Sequence, residues 1–417
     1  MSFTGRAEPE SSSCSTDGAT ARITTSRIGP AFSDGAHSIV LPRNERDWGA
    51  AISRFGPLPA LTIESGLDTI ARPDLALHSV VETMPLGAAV DLRLSNVAFA
   101  DQVLGLLRGH WNDSIRRRYF THETATDLAL ECGLTVNDVI DLRIEPADSA
   151  LATRLLGDRL DDSATFVLRC ERTQRGTIAL PSVFAESVDY TELFQRGDGT
   201  CHSREIALLE GRDRVVEVAP ASDMTHWLSD VGHRVTVVDR AVPSRSRRWA
   251  ERVVVGDLDV DDWARSIEGS ADAVLLGNVI EHVGDPVAVL RSATRCLDRA
   301  SATTPIVVVS VPNVAHADVR LALASGRWTY RDTGILDRTH LHFLTADRLT
   351  AIGEAAGLEV VERLSTRVPR GASANAVGWD RAAIGAARSP APTILSDLVD
   401  ADPDADIHVH TWSFQPR

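Results

Sequence analysis

A few imidazoles, carboxylates and one arginine in the second half of the chain are the side chains whose types and spacing could do chemistry. Glu281-His282 closes a short apolar run, His316 follows, and Asp337-Arg338-Thr339-His340-Leu341-His342 lies beyond it. An imidazole titrates near neutrality, so His282, His316 or His340 could take the proton of an acceptor hydroxyl. The plainer reading of His282 is structural, with Glu281 holding a strand-to-helix turn. Arg338 and Asp337 either orient an acceptor or pair with each other and pin a loop. A zinc site wants nitrogen or sulfur ligands at defined spacing. His-x-His without a neighbouring Cys supplies a poor one, so no metal is expected. No nucleophile motif is present, so the chemistry needs no covalent intermediate.

These residues need a scaffold, and Arg214–Asp239 (RVVEVAPASDMTHWLSDVGHRVTVVD) is its centre. RVVEV is the β-branched run of a strand buried on both faces of a parallel sheet. A small-residue turn follows, then Met224, Trp227, Leu228 and Val231 at helical spacing, with Gly232 as the stop. Arg234–Val238 is a second buried strand ending on Asp239. Such a βαβ unit binds a nucleoside: the turn faces the charged part and the terminal acid accepts from both ribose hydroxyls.

The unit resembles the first motif of class I S-adenosylmethionine-dependent methyltransferases. There the turn reads acid-x-Gly-x-Gly-x-Gly; here it is Glu217-Val218-Ala219-Pro220-Ala221-Ser222-Asp223, with a Cβ at every glycine position. Glycines serve positive φ and close backbone approach. Asp223 either meets the ligand's ammonium or sulfonium or repels its carboxylate. ADAVLLGNVIEHVGDP (Ala271–Pro286) resembles the family's fourth strand through Asp272, Val274, Val279, Ile280, Glu281, His282, Asp285 and Pro286. The resemblance implies S-adenosylmethionine as cofactor, bound by Glu217, Ala219, Ala221, Asp223, Asp239, Asp257, Leu258 and Asn278. Asp257 would meet the adenine amino group and Asn278 the methionine part. The alternative for Asp257 is to cap a helix beginning near Val260, a place Asp259 suits better.

Asn313–Thr345 resembles a subgroup often encoded beside, or fused to, bacterial glycosyltransferases, with Asp337-Arg338-Thr339-His340 as its signature. That implies an acceptor held by Asn313, Asp337 and Arg338, with His340 or His316 as base. The acceptor would be a small molecule or glycan, methylated at a hydroxyl. The rival is a non-catalytic methyltransferase-like binding or scaffold protein. A nicotinamide-dependent oxidoreductase would leave the Glu-His and Asn-Val-Ala segments unexplained.

The chain also repeats itself. Leu94–Trp111 (LSNVAFADQVLGLLRGHW) matches Val311–Trp328 (VPNVAHADVRLALASGRW) without a gap. Phe120–Pro146 matches Leu344–Pro369 in its order of Thr, helix, Gly and strand, and Asp47-Trp48 aligns with Asp262-Trp263. Before Arg46 nothing matches Arg214–Asp239, and the Asp-Arg-Thr-His signature is replaced by Arg116-Arg117-Arg118-Tyr119. The expected organisation is a disordered tail at 1–36, a degenerate partial methyltransferase-like domain at 37–172, a linker at 173–199 and a complete domain at 200–417. The fold class is α/β: a Rossmann-like seven-stranded sheet with helices on both faces, plus an N-terminal partial α/β repeat. The partial copy has an orphan sheet edge, expected to be covered by the complete domain or a second subunit.

Totals bound the rest. A net charge of -15 over 417 residues argues against nucleic acid or an anionic membrane as partner. The basic residues are all arginine, which reads as the codon bias of a GC-rich genome. Five scattered cysteines without CxxC spacing point to reduced thiols in a cytoplasmic protein. No apolar run approaches a membrane span. A homodimer or intramolecular packing of the two copies is expected.

Overall fold

The computed structural model describes residues 22–25, 37–40, 47–64, 66–111, 118–156, 161–173, 194, 196–371, 397 and 399–417. Most of the expected tail and linker, Arg116-Arg117, and residues 372–396 lie outside the described residues.

The first half runs β1 (Arg22–Thr25), β2 (His37–Val40), α1 (Trp48–Ser53), β3 (Ala60–Ile63), α2 (Pro73–Val81), β4 (Ala89–Ser95), α3 (Ala100–Leu107), α4 (His122–Glu131), β5 (Leu134–Arg143), α5 (Ser149–Leu156) and β6 (Ser163–Arg172). The second runs α6 (Cys201–Leu208), β7 (Arg214–Val218), α7 (Met224–Asp230), β8 (Arg234–Asp239), α8 (Ser244–Trp249), β9 (Arg252–Val255), β10 (Ala273–Gly277), α9 (Pro286–Cys296), β11 (Ile306–Pro312), α10 (Ala317–Ala324), α11 (Ala346–Ala355), β12 (Leu358–Arg367) and β13 (Ile407–Pro416).

Local chemistry sets these boundaries. The Asp285 carboxylate accepts from the Ala288 N–H with Pro286 in the first turn of α9, and Thr345 accepts from the Arg348 N–H at the start of α11. Gly232 and Gly357 stop α7 and α11 in the left-handed region, at φ 100° and 82°. The helix expected near Val260 does not form; a short 3₁₀ turn, Trp263–Ile267, stands further on. Asp257 Oδ1 accepts from the Asp259 N–H and Asp261 Oδ2 from the Asp257 N–H. Such short acids offer the backbone a turn in place of a helix.

The second sheet has seven strands in the order β12-β13-β11-β10-β7-β8-β9. β11, β10, β7, β8 and β9 are mutually parallel, and β13 is antiparallel to β11 and β12. Helices pack on both faces, which is why β7, β10 and β11 are dominated by apolar residues rather than alternating. From β7 the chain builds outward to β8 and β9, then jumps back to β10. The carboxyl ends of β7 and β10 therefore flank the topological switch point, where such sheets open a crevice.

The first sheet has six strands in the order β2-β1-β3-β4-β6-β5. β3 and β4 are parallel, and β6 is antiparallel to β4 and β5. Its free edge is covered by β1, antiparallel to β3, rather than by another domain. So Arg22–Thr25 of the expected disordered tail is a strand. One apolar core runs from Trp48 and Leu61 of the first half to Val314, Leu323 and Trp328 of the second. Trp111 and Trp328 stack within it, centroids 5.3 Å apart and planes 7° from parallel. The halves are packed intramolecularly.

Candidate active site

Among the described residues, two that are not glycine occupy the left-handed region: Ala219 at φ 52° and Asn278 at φ 53°. They follow β7 and β10 directly, one on each side of the switch point. Ala219 keeps the conformation that glycine serves, and its N–H donates to the Val238 carbonyl at 2.7 Å. Asn tolerates this region through its short polar side chain; Ala pays roughly 1–2 kcal/mol. Ala219→Gly should therefore raise stability by about 1 kcal/mol in urea unfolding, the gain trimmed by a freer unfolded chain. A variant no more stable than the parent would mean that the turn relaxes out of that conformation.

Around this turn, Asp239 ends β8, half-buried, and its Oδ1 accepts from the Ala241 N–H at 3.1 Å. Asp257 follows β9, and Leu258 packs on the core of the second sheet. Asn278 donates its N–H to the Ser310 carbonyl. Ala219, Asp239, Asp257 and Asn278 thus line up along the carboxyl ends of four adjacent strands. Asp223 and Ala221 are exposed. Asp223 sits at the start of α7 without a side-chain capping bond, and Arg245 holds the Ala221 carbonyl at 2.8 Å.

Glu217 stands apart from that row. It is buried beneath the turn, accepts from the Thr225 hydroxyl at 2.6 Å, and burial pushes its carboxyl up to about 8. A second buried acid, Glu205 on α6, was not singled out in the sequence. Burial raises it to about 7, with a hydrogen bond to Ser310 acting the other way. A Cβ on Gly277 would come within 2.8 Å of Glu205 Oε1, so β10 needs glycine there to admit the acid. An acid among Cys201, Ile206 and Leu208 was the available signal.

On the acceptor side, residues 339–342 are zipped onto 281–283. The Glu281 carbonyl accepts from the N–H groups of Leu341 and His342. The His342 ring donates to the Val283 carbonyl at 2.9 Å. Thr339 Oγ1 lies 3.0 Å from His282 Nδ1 and donates to Asp337 Oδ1 at 2.7 Å. His282 also bonds the Thr339 backbone, so Thr339 holds this ring. His340 Nδ1 sits 3.0 Å from the Ile335 carbonyl, which only accepts, so its lone pair is on Nε2. Burial holds His282 down to about 4 and His340 well below its ordinary value. Arg338 pairs with Asp332.

Two expected residues belong elsewhere. His316 Nδ1 accepts from the Asp318 N–H and caps α10, so Nε2–H donates to the Val368 carbonyl at 3.0 Å. With both nitrogens used and 0% exposure, it has no lone pair to offer a substrate. Asn313 is also buried: its amide donates to the Ile407 carbonyl and accepts from the Ala315 N–H. Asn96 does the same in the first half, bonding the Ser163 carbonyl and the Ala98 N–H. The repeated Asn-Val-Ala motif is a strand-end clamp.

Residues 191–363 match a family model described as a methyltransferase domain. No curated protein sequence matches the chain. Among solved structures, the chain is similar to a Burkholderia thailandensis 1,6-didemethyltoxoflavin-N1-methyltransferase with bound S-adenosylhomocysteine. Identity is 19% over 52% of this chain and 79% of that one, with a TM-score of 0.33. An Archaeoglobus fulgidus SAM-dependent methyltransferase is 14% identical over 51% and 90%, TM-score 0.34. The Bacillus subtilis YcgJ protein is 11% identical over 52% and 98%, TM-score 0.33.

Proposed function

We propose that residues 200–417 transfer a methyl group from S-adenosylmethionine to a small-molecule or glycan acceptor, at a hydroxyl, a reading supported by the match of residues 191–363 to a family model described as a methyltransferase domain. The carrying observation is the pair of left-handed residues, Ala219 and Asn278, flanking the switch point with Asp239 on the next strand. The crevice keeps the backbone path that a nucleoside cofactor needs although the turn has lost its glycines. Asp239, with Oδ2 not engaged among the described residues, suits a ribose hydroxyl, and Asp257 an adenine amino group. The cofactor supplies a methyl already activated on a sulfonium. The chain's own task is to align the acceptor oxygen, exclude water and dispose of one proton.

That oxygen is placed at Glu281, His282 and His340, beside the loop that Asp337 and Thr339 orient. Residues 37–172 are read as a degenerate partial copy. The order and directions of β3-β4-β6-β5 parallel those of β10-β11-β13-β12, both closing hairpins shift register at matching places, and Asn96 repeats Asn313. Among the described residues this copy has no counterpart of β7 with its turn, and we read it as a copy without a cofactor site.

Calorimetry with S-adenosylmethionine is the test. Micromolar binding, weakened at least tenfold (about 1.4 kcal/mol) by Asp239→Ala, is expected. Absence of heat at millimolar cofactor would overturn the reading in favour of a non-catalytic binding or scaffold role.

A further inference from the structure

One carboxylate oxygen of Glu281 and one ring nitrogen each of His282 and His340 lie within 4.8 Å of one another. The Glu281 side chain is 1% exposed, and neither of its oxygens has a hydrogen-bond partner among the described residues. A buried carboxylate without partners is costly, and in a native fold it calls for a proton, a water or an ion. Its surroundings add negative charge, since Asp337 and Glu205 both bear on it. The two imidazoles supply what the carboxylate lacks. Each ring is held by a neighbour outside the cluster, His282 by Thr339 and His340 through Nδ1–H by the Ile335 carbonyl, and each brings one nitrogen to the carboxylate. Metal-binding histidines are oriented in this way by partners outside the coordination sphere.

We infer that Glu281, His282 and His340 form a binding site for one divalent transition-metal ion. The expectation of no metal rested on His-x-His spacing alone. The fold builds the set differently, by bringing Glu281-His282 at the end of β10 against His340, more than fifty residues later. Two imidazole nitrogens and one carboxylate are a donor set for zinc in a three-ligand site with an open position, and manganese or ferrous ions share it. Magnesium prefers an all-oxygen shell.

The inference rests on the proposed methyl transfer for its use, and it deepens that reading. An ion held by Glu281, His282 and His340 would supply a Lewis acid that acidifies an acceptor hydroxyl, so that its proton could leave to solvent. The oxygen would gain the new O–C bond as the S–C bond breaks, with the electron pair of the S–C bond left on the former sulfonium sulfur. No oxidant or reductant is needed.

The full-length chain, stripped with chelator, is titrated with Zn2+ by calorimetry and with Co2+ by its visible absorption. One equivalent per chain, at micromolar or tighter affinity, and a Co2+ band of low-symmetry coordination are expected. Glu281→Gln and His340→Gln should each weaken binding at least tenfold. His110→Gln, an exposed histidine paired with Asp347, should leave it unchanged. Circular dichroism checks that the variants fold, and Thr339→Val, which removes the support of His282, should weaken Zn2+ less than loss of a ligand does. No binding, or binding indifferent to Glu281→Gln and His340→Gln, overturns the site. Calorimetry with S-adenosylmethionine on the same samples separates the two readings. Cofactor heat without metal binding defeats only this inference, and metal binding without cofactor heat defeats only the methyltransferase assignment.

Discussion

Replacing Arg118 by Ala is expected to cost about 3–5 kcal/mol of stability, the largest loss from any single truncation outside the apolar core. Its guanidinium, 2% exposed, donates from Nε to the Ala71 carbonyl at 2.6 Å and from Nη1 to the carbonyls of Arg338 and His340 at 2.7 and 3.0 Å. One of these carbonyls belongs to the first half of the chain, and the other two bracket Thr339. Truncation leaves all of them buried without this donor, and each orphaned carbonyl costs roughly 1–3 kcal/mol. Arg118→Lys keeps the charge but not the planar fork, so it should fall between. Denaturant unfolding supplies the number. Hydrogen exchange should show faster opening of 337–342 in the Ala variant than in the parent. An unfolding free energy within 1 kcal/mol of the parent would mean that the halves do not depend on this clamp.

That dependence gives the N-terminal half a physical purpose without cofactor chemistry. The loop carrying Asp337, Thr339 and His340 is irregular, and irregular backbone stays ordered only when its polar groups are satisfied. The second half satisfies it from one side through the Glu281 carbonyl, and the first half closes the other side through Arg118. Tyr330 joins the same contact, its phenol oxygen accepting from the Tyr119 N–H at 2.9 Å.

Much of this was legible from residue types. β-branched runs gave β7, β8 and β11; Pro286, Thr345, Gly232 and Gly357 gave the helix ends. Illegible were the features that depend on which partner a side chain meets after folding. His316 and His340 look alike in sequence, yet one spends its nitrogens on a helix cap and the Val368 carbonyl while the other keeps a lone pair. Asn313 sat in a motif that invited a ligand role, but its amide closes a strand end. The turn at Ala219 looked disabled because sequence reports the Cβ and not the φ, and the backbone retained the conformation regardless. Coverage of the first sheet's edge by β1 was hidden because Arg22–Thr25 is a brief run in a Ser/Thr-rich segment.

Raising the pH from 6.5 to 8 is expected to destabilise the protein, and Glu217→Gln is expected to remove part of that loss. Burial is the main cause of the upward shift at Glu217, with Glu205 adding to it and the Thr225 hydroxyl opposing it. In the unfolded chain a glutamic acid titrates near 4.3, so from about 4.3 to about 8 the folded chain holds a proton that the unfolded chain has released. The folded state binds more protons there, so stability falls as pH rises; the contribution is whole below the unfolded value and lost on passing the folded one. Buried His408 and His410, both held down to about 4, act with the opposite sign, but only below about 6.5. Above that pH the opposing histidine contribution fades and the raised carboxyls dominate. For Glu217 the loss between 6.5 and 8 is roughly 1–2 kcal/mol, from about 1.4 kcal/mol per unit of differential titration. Gln keeps the acceptor for Thr225 and cannot ionise, so the variant should be less pH-sensitive and, at pH 8, the more stable of the two. Urea midpoints at pH 6.5, 7.2 and 8 test this, and parallel profiles for parent and variant would show that Glu217 reaches solvent and ionises freely beneath the turn.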